Sequence, residues 1–210
     1  MDKPAPSSAV PENTAPKPRQ SREARQQQIL DATLRCVRRS GFHGASMSEI
    51  AAEAKMSVGV IYRYFENKEA IVEAIVANDL AEMRAKFAEW DETPDDRLLD
   101  TLLDTIDFAL DHKYGPDNSA LALEVLAEAA RNPRVAAIVQ AADVQERELG
   151  RHLCTRLNAG CDPARLDARG EIIGMLFDGM MIRAVSNPNI DRKALARELR
   201  EVLRYLFILK

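Results

Sequence analysis

The 210-residue sequence predicts an all-α chain in two parts, an N-terminal three-helix head built on a helix-turn-helix and a C-terminal helical bundle. Three observations predict it. Apolar residues recur at helical spacing almost without pause from Ile29 to Leu206. No segment keeps the period-two alternation of a strand, and only nine glycines and 5% aromatics argue against a turn-rich β fold. Charge divides the chain: Lys17 to Lys68 hold ten Lys and Arg against five Asp and Glu, whereas Glu69 to Lys210 hold eighteen against twenty-six. A net charge of −4 conceals a basic head on an acidic body, the asymmetry expected when a module that binds a polyanion is joined to one that does something else.

Residues 1–20 carry five of the ten prolines with Ser, Asn and Lys, too little apolar surface to offset ordering entropy, and read as a disordered tail whose Lys17 and Arg19 remain available to a polyanion. A first helix follows through Ile29, Leu30, Thr33, Cys36 and Val37 and stops at Gly41, a natural C-terminal cap. Two short helices, about 47–54 and 58–65, precede a long one from Lys68, whose stripe Val76, Leu80, Met83, Phe87, Trp90 ends before Pro94. Pro94 opens one helix through Leu99, Leu102, Ile106 and Leu110. Gly115 and Pro116 separate it from a helix through Leu121 and Leu126, and Pro133 starts another through Leu153 to Gly160. Asp162 and Pro163 have the chemistry of an N-cap and a first-turn proline for a helix through Ile173, Phe177 and Met180. The last helix begins near Asp191. The expected divisions are 1–20, 21–67 and 68–210.

Several function classes are excluded. Glu73, Asp79 and Asp178 interrupt every apolar stretch long enough to span a bilayer, and no apolar segment follows the N-terminus as in a signal peptide. Three cysteines, Cys36, Cys154 and Cys161, make no disulfide framework and suit a reducing cytoplasm. His43, His112 and His152 are scattered, so no metal site is expected. There is no phosphate loop, nucleophile elbow or helical Glu-x-x-His pair, so neither catalysis nor a cofactor is expected.

The head carries the chemistry. Ser46 and Glu49 form the S-x-x-E capping box that starts a helix sharply, and Ser57 is the cap expected for the second short helix. That helix offers Val58, Val60, Tyr62, Arg63 and Tyr64. Valine methyls can meet thymine methyls, a guanidinium can fork onto guanine or bind phosphate, and phenols can donate to phosphate oxygens. Gly59 permits close backbone approach, either to a neighbouring helix or to DNA. Lys68 adds a cation at a helix N-terminus that itself favours phosphate.

From Arg25 to Lys68, the segments Ile29-Leu30-Asp31-Ala32, Gly41-Phe42, Ser46-Met47-Ser48-Glu49-Ile50-Ala51 and Ser57 to Lys68 together resemble the DNA-binding domain of the TetR family of transcriptional repressors. The Asp178-Gly179 pair resembles a feature of its BetI-like branch. The resemblance implies a homodimer joined through the last two helices, a ligand-binding and dimerisation body over 68–210, and a palindromic double-stranded operator from which an inducer releases the protein; a largely apolar pocket with one or two acids suits a small hydrophobic or cationic compound. It implies DNA contacts by Arg25, Ser46, Ser48, Ser57, Val58, Gly59, Val60, Tyr62, Arg63, Tyr64 and Lys68. Two positions depart from the family: Val58 stands where a lysine or arginine is frequent, and Ala45 where a threonine is usual.

Candidate pocket residues are Phe87, Trp90, Phe108, Glu124, Met175 and Asp178. The two acids are singled out because each interrupts an apolar stretch, where an unpaired carboxylate is costly; pairing with an arginine such as Arg183 is the alternative. Two rival readings stay open, a redox switch at Cys154 and Cys161 on the same DNA-binding frame, and an all-α binding protein or enzyme with a purely structural head.

Overall fold

The computed structural model describes residues 21–113 and 115–208, so the proline-rich tail expected at 1–20 lies outside the described residues. Every regular element within them is a helix: α1 Arg22–Gly44, α2 Met47–Glu53, α3 Val58–Tyr64, α4 Lys68–Asp91, α5 Asp95–Asp104, α6 Ile106–Lys113, α7 Pro116–Ala129, α8 Pro133–Leu157, α9 Pro163–Ser186 and α10 Arg192–Phe207.

Local chemistry sets these boundaries. Ser21, Asn67, Asp162 and Asp191 each accept a first-turn backbone N–H at the start of α1, α4, α9 and α10, satisfying donors that a helix N-terminus otherwise leaves open. At Ser46 both halves of the capping box are formed. Gly41 interrupts the helical backbone inside α1 with φ 70° and ψ 167°, a left-handed conformation open to glycine without penalty. The single helix expected after Pro94 is two. Thr105 donates its hydroxyl to the Leu102 carbonyl at 2.7 Å and its backbone N–H also turns back to Leu102, which closes α5 and restarts the chain as α6.

Three apolar clusters hold the helices together. The largest joins α1, α2 and α3 through Ile29, Cys36, Ile50 and Ile61, and continues through Ile71, Val72 and Ile75 of α4 to Val125 of α7 and Val135 of α8. The head is therefore seated on the body by a shared core, and the expected division at 67/68 falls inside it. A second cluster joins α5 and α6 to α9 and α10 through Leu103, Ile106, Met180 and Leu203. The third packs Phe87 and Trp90 of α4 against Leu98, Leu102 and Leu153. Arg156 of α8 ties the α4–α5 turn down, bonding the carbonyls of Trp90, Asp91 and Thr93 and the carboxylates of Asp91 and Asp95. Arg169 of α9 does the same for the last turn of α10, with its Nη1 donating to the carbonyls of Tyr205, Leu206 and Ile208.

Candidate nucleic-acid interface

The head is built so that α3 has one face buried and one face open. Ile61 is fully buried and Phe65 nearly so, which fixes the rotation of this two-turn helix. Gly59, Tyr62 and Arg63 consequently face solvent, with Tyr62 52% exposed. A Cβ built on Gly59 would meet nothing within 4 Å, so no neighbouring helix requires a glycine there. Of the two uses left open by the sequence, packing against a neighbouring helix finds no support among the described residues.

Ser57 begins α3 with extended backbone but makes no side-chain cap bond, contrary to the expected cap. Ser46 is exposed yet engaged, its oxygen accepting the Glu49 N–H at 3.1 Å while its own N–H donates to Glu49 Oε2 at 2.7 Å. The Ser46 backbone N–H, helped by the Ser46 side chain, holds the Glu49 carboxyl below the usual range. Ser48 is exposed in the first turn of α2. Val58 and Tyr64 are half-buried against the head core, because their spacing from Ile61 turns them partly inward. Val58 is thus a packing residue, and Tyr64 presents less of its ring than expected. Lys68 is engaged within the head: its Nζ donates to the Phe42 carbonyl at 3.0 Å and lies 5.0 Å from the centre of the Phe42 ring.

The remaining head cations sort by side. Arg35 and Arg39 both engage Glu53, at 2.7 and 3.3 Å, locking α1 to the end of α2 and holding the Glu53 carboxyl below its usual range. Arg22, Arg25, Lys55 and Arg63 instead line a groove of about 680 Å³ beside α3, together with Ser57 and Val60. The sequence reading missed Gln28, whose Nε2 donates to the Ala54 carbonyl at 2.8 Å while its Oε1 accepts from Arg25 at 3.3 Å. The partners lie in different helices, so only its place one turn after Arg25 could have suggested it.

The candidate pocket residues do not converge. Glu124 lies at the joint between body and head, where its Oε2 accepts the Phe42 N–H at 2.8 Å. Met175 and Asp178 are on the exposed side of α9. Their positions share that side with Ile172, Ile182 and Val185, so neither is a pocket residue within one chain. Phe108 is 56% exposed on α6. Phe87 and Trp90 do meet, with ring centres 4.8 Å apart and nearly edge to face, and the Trp90 Nε1–H is buried without an acceptor among the described residues. Phe87 also lines a groove of about 430 Å³ between α4 and α8, with Leu149, Leu153, Asp91 and His152. His152 and Asp91 are paired there at 2.8 Å. Cys154 is buried and desolvation pushes its thiol up to about 11, which removes the thiolate that a redox switch needs. Among the described residues no cluster of three potential metal ligands forms, and no helix is long and apolar enough to cross a membrane.

Comparison with known proteins agrees with this arrangement. Residues 29–75 match the family described as bacterial regulatory proteins, tetR family, and residues 93–207 match the tetracyclin repressor-like C-terminal domain. The chain is 34% identical over 112 residues to the HTH-type transcriptional regulator UidR of Escherichia coli K12, covering 53% of this chain and 55% of that protein. The aligned region therefore spans about half the length of that relative. It is 26% identical over 178 residues to the HTH-type transcriptional regulator BetI of Burkholderia thailandensis, covering 82% of this chain and 88% of that one. Among solved structures, Salmonella enterica GusR superposes with a TM-score of 0.71 at 25% identity, over 87% of this chain and 95% of its own.

Proposed function

The chain belongs to the TetR family of bacterial regulatory proteins, and from that premise we propose that it is a ligand-responsive transcriptional repressor that binds a palindromic operator as a homodimer. One observation carries the reading: α3 holds Gly59, Tyr62 and Arg63 outward on a basic head, with a glycine that no contact among the described residues requires. Arg63 forks onto a base edge or phosphate, Tyr62 donates to phosphate, and Gly59 lets the backbone approach the groove wall. Ser57, Val60 and Arg25 border the same surface.

Dimerisation uses α9 and α10. Ile172, Met175, Ile182 and Val185 on α9, with Val202 and Tyr205 on α10, are large apolar side chains left exposed in the single chain. A four-helix contact between two copies removes them from water and sets the two heads one helical turn of DNA apart, about 34 Å. The effector site is in the body. Glu124 is bound to the head and Asp178 lies on the α9 face. The apolar surround of Phe87 and Trp90 and the open Trp90 N–H suit a largely apolar compound with one hydrogen-bond acceptor. Such a compound releases DNA only by binding more tightly to the conformation whose head spacing misfits the operator.

Fluorescence-polarisation titration of the full chain against duplex DNA from upstream of its own gene, with a scrambled duplex as control, tests the reading. Sequence-specific binding that weakens steeply with salt is expected. Equal affinity for a genome-derived pool and the scrambled control would contradict it.

A further inference from the structure

We propose that Lys55, in the turn between α2 and α3, is a DNA-phosphate contact that extends the interface along the side groove between α3 and the start of α1; this rests on the DNA-binding reading above. The first observation is its backbone. Lys55 is the sole residue other than glycine at positive φ among the described residues, at 56°. It occupies the position after the end of α2 where the Met56 N–H donates to the Ala51 carbonyl at 2.9 Å and the Lys55 N–H to the Ala52 carbonyl at 3.1 Å. That double closure places its middle residue in the left-handed region, where glycine fits without penalty and a side chain is strained. A strained residue persists where the surrounding structure over-determines it, and such residues cluster at functional sites. The Lys55 side chain is exposed, so core packing does not explain its identity. A cation near a helix C-terminus is favourable, but any residue of the last turn of α2 would supply one without the strain.

The second observation is the company Lys55 keeps. It lines the 680 Å³ groove with Arg22, Arg25 and Arg63, and among the described residues no carboxylate lines that groove. Among the other cations of the head, Arg35 and Arg39 pair with Glu53 and Lys68 donates to the Phe42 carbonyl. Gln28 bridges the two observations, since it holds the carbonyl of Ala54, the residue before Lys55, and also receives Arg25. Turn and groove are therefore positioned by one side chain. A helix seated in a major groove about 12 Å wide is flanked by sugar-phosphate strands, and the groove beside α3 is where one such strand passes Lys55.

Salt-titrated binding of the full chain to a selected duplex, comparing wild type with Lys55→Gly, Lys55→Arg and Arg63→Ala, tests the proposal. Lys55→Gly relieves the strain, so its Tm is expected to rise by about 2–4 °C. Loss of one phosphate contact makes the slope of log affinity against log salt shallower by about 0.9, or about fivefold weaker binding at 0.15 M. Lys55→Arg is expected to keep the wild-type slope. A Lys55→Gly protein with unchanged slope overturns the proposal whether or not its affinity falls, because a merely structural role leaves the slope alone. If Arg63→Ala weakens binding in that case, the DNA-binding reading stands without Lys55. A wild type without salt-sensitive duplex binding overturns both.

Discussion

The head and the α9–α10 face are both open surfaces, and they lack different things. The head exposes a short helix with a phenol, a guanidinium and a bare backbone position beside three further cations, Arg22, Arg25 and Lys55. The α9–α10 face exposes Ile172, Met175, Ile182, Val185, Val202 and Tyr205, the last 72% exposed. The first surface has cations and hydrogen-bond donors with no carboxylate among the described residues that line it, so its complement is a polyanion. The second has apolar area without cover, so its complement is apolar and rigid. Between them lies Glu124, which joins α7 of the body to the Phe42 backbone of the head. The difference teaches that one chain can present a specific surface only when another surface fixes its spacing.

The largest effect is expected from Ile182→Glu, which places a charge in the apolar face and leaves the head untouched. An unpaired buried charge costs at least about 3 kcal/mol, so self-association should weaken more than about a hundredfold, read as a shift from dimer to monomer by light scattering. An unchanged dimer would remove α9 from the interface. Next is Glu124→Ala, which leaves the Phe42 N–H without its charged acceptor and should cost about 1.5–3 kcal/mol of stability. Glu124→Gln retains an acceptor and should recover much of the loss in thermal denaturation; equal Tm for all three proteins would show the joint to be idle.

Arg63→Ala should cost about 1–3 kcal/mol of operator affinity while the protein stays dimeric, separating the two surfaces from the other side. Retained affinity would place base reading elsewhere on α3. The smallest effect belongs to Tyr62→Phe, about 0.5–1.5 kcal/mol for a single neutral hydrogen bond, measured by the same titration. An unaltered affinity would end the phosphate role of its hydroxyl.

Much of the fold was legible in the sequence because its signals are local. The capping box at Ser46 and Glu49, the glycine stop at Gly41 and the Asp162-Pro163 start depend on neighbours a few residues away, and all three hold. The break at Thr105 was illegible because a threonine hydroxyl, not a proline or glycine, makes it. The roles of single residues were harder to read. Glu124 has the pattern of a buried acid meeting a ligand, but its partner lies 82 residues earlier, beyond any spacing argument. Met175 and Asp178 read as inward-facing because α9 is apolar on more than one side; one side packs on α10 and the other is left open. Lys68 and Val58 each also make contacts within the head, Lys68 with the Phe42 carbonyl and Val58 with the head core, which their place in the sequence did not indicate.

The central claim is that α3 reads DNA from a head whose spacing is set by a second copy. Selection of bound fragments from the genomic DNA of the source organism, using the full chain, tests it most directly. The expected result is an inverted repeat whose half-site centres lie about 34 Å apart, enriched by the wild type and lost with Ile182→Glu. Enrichment of no motif, or of a lone half-site bound equally well by both proteins, would contradict it.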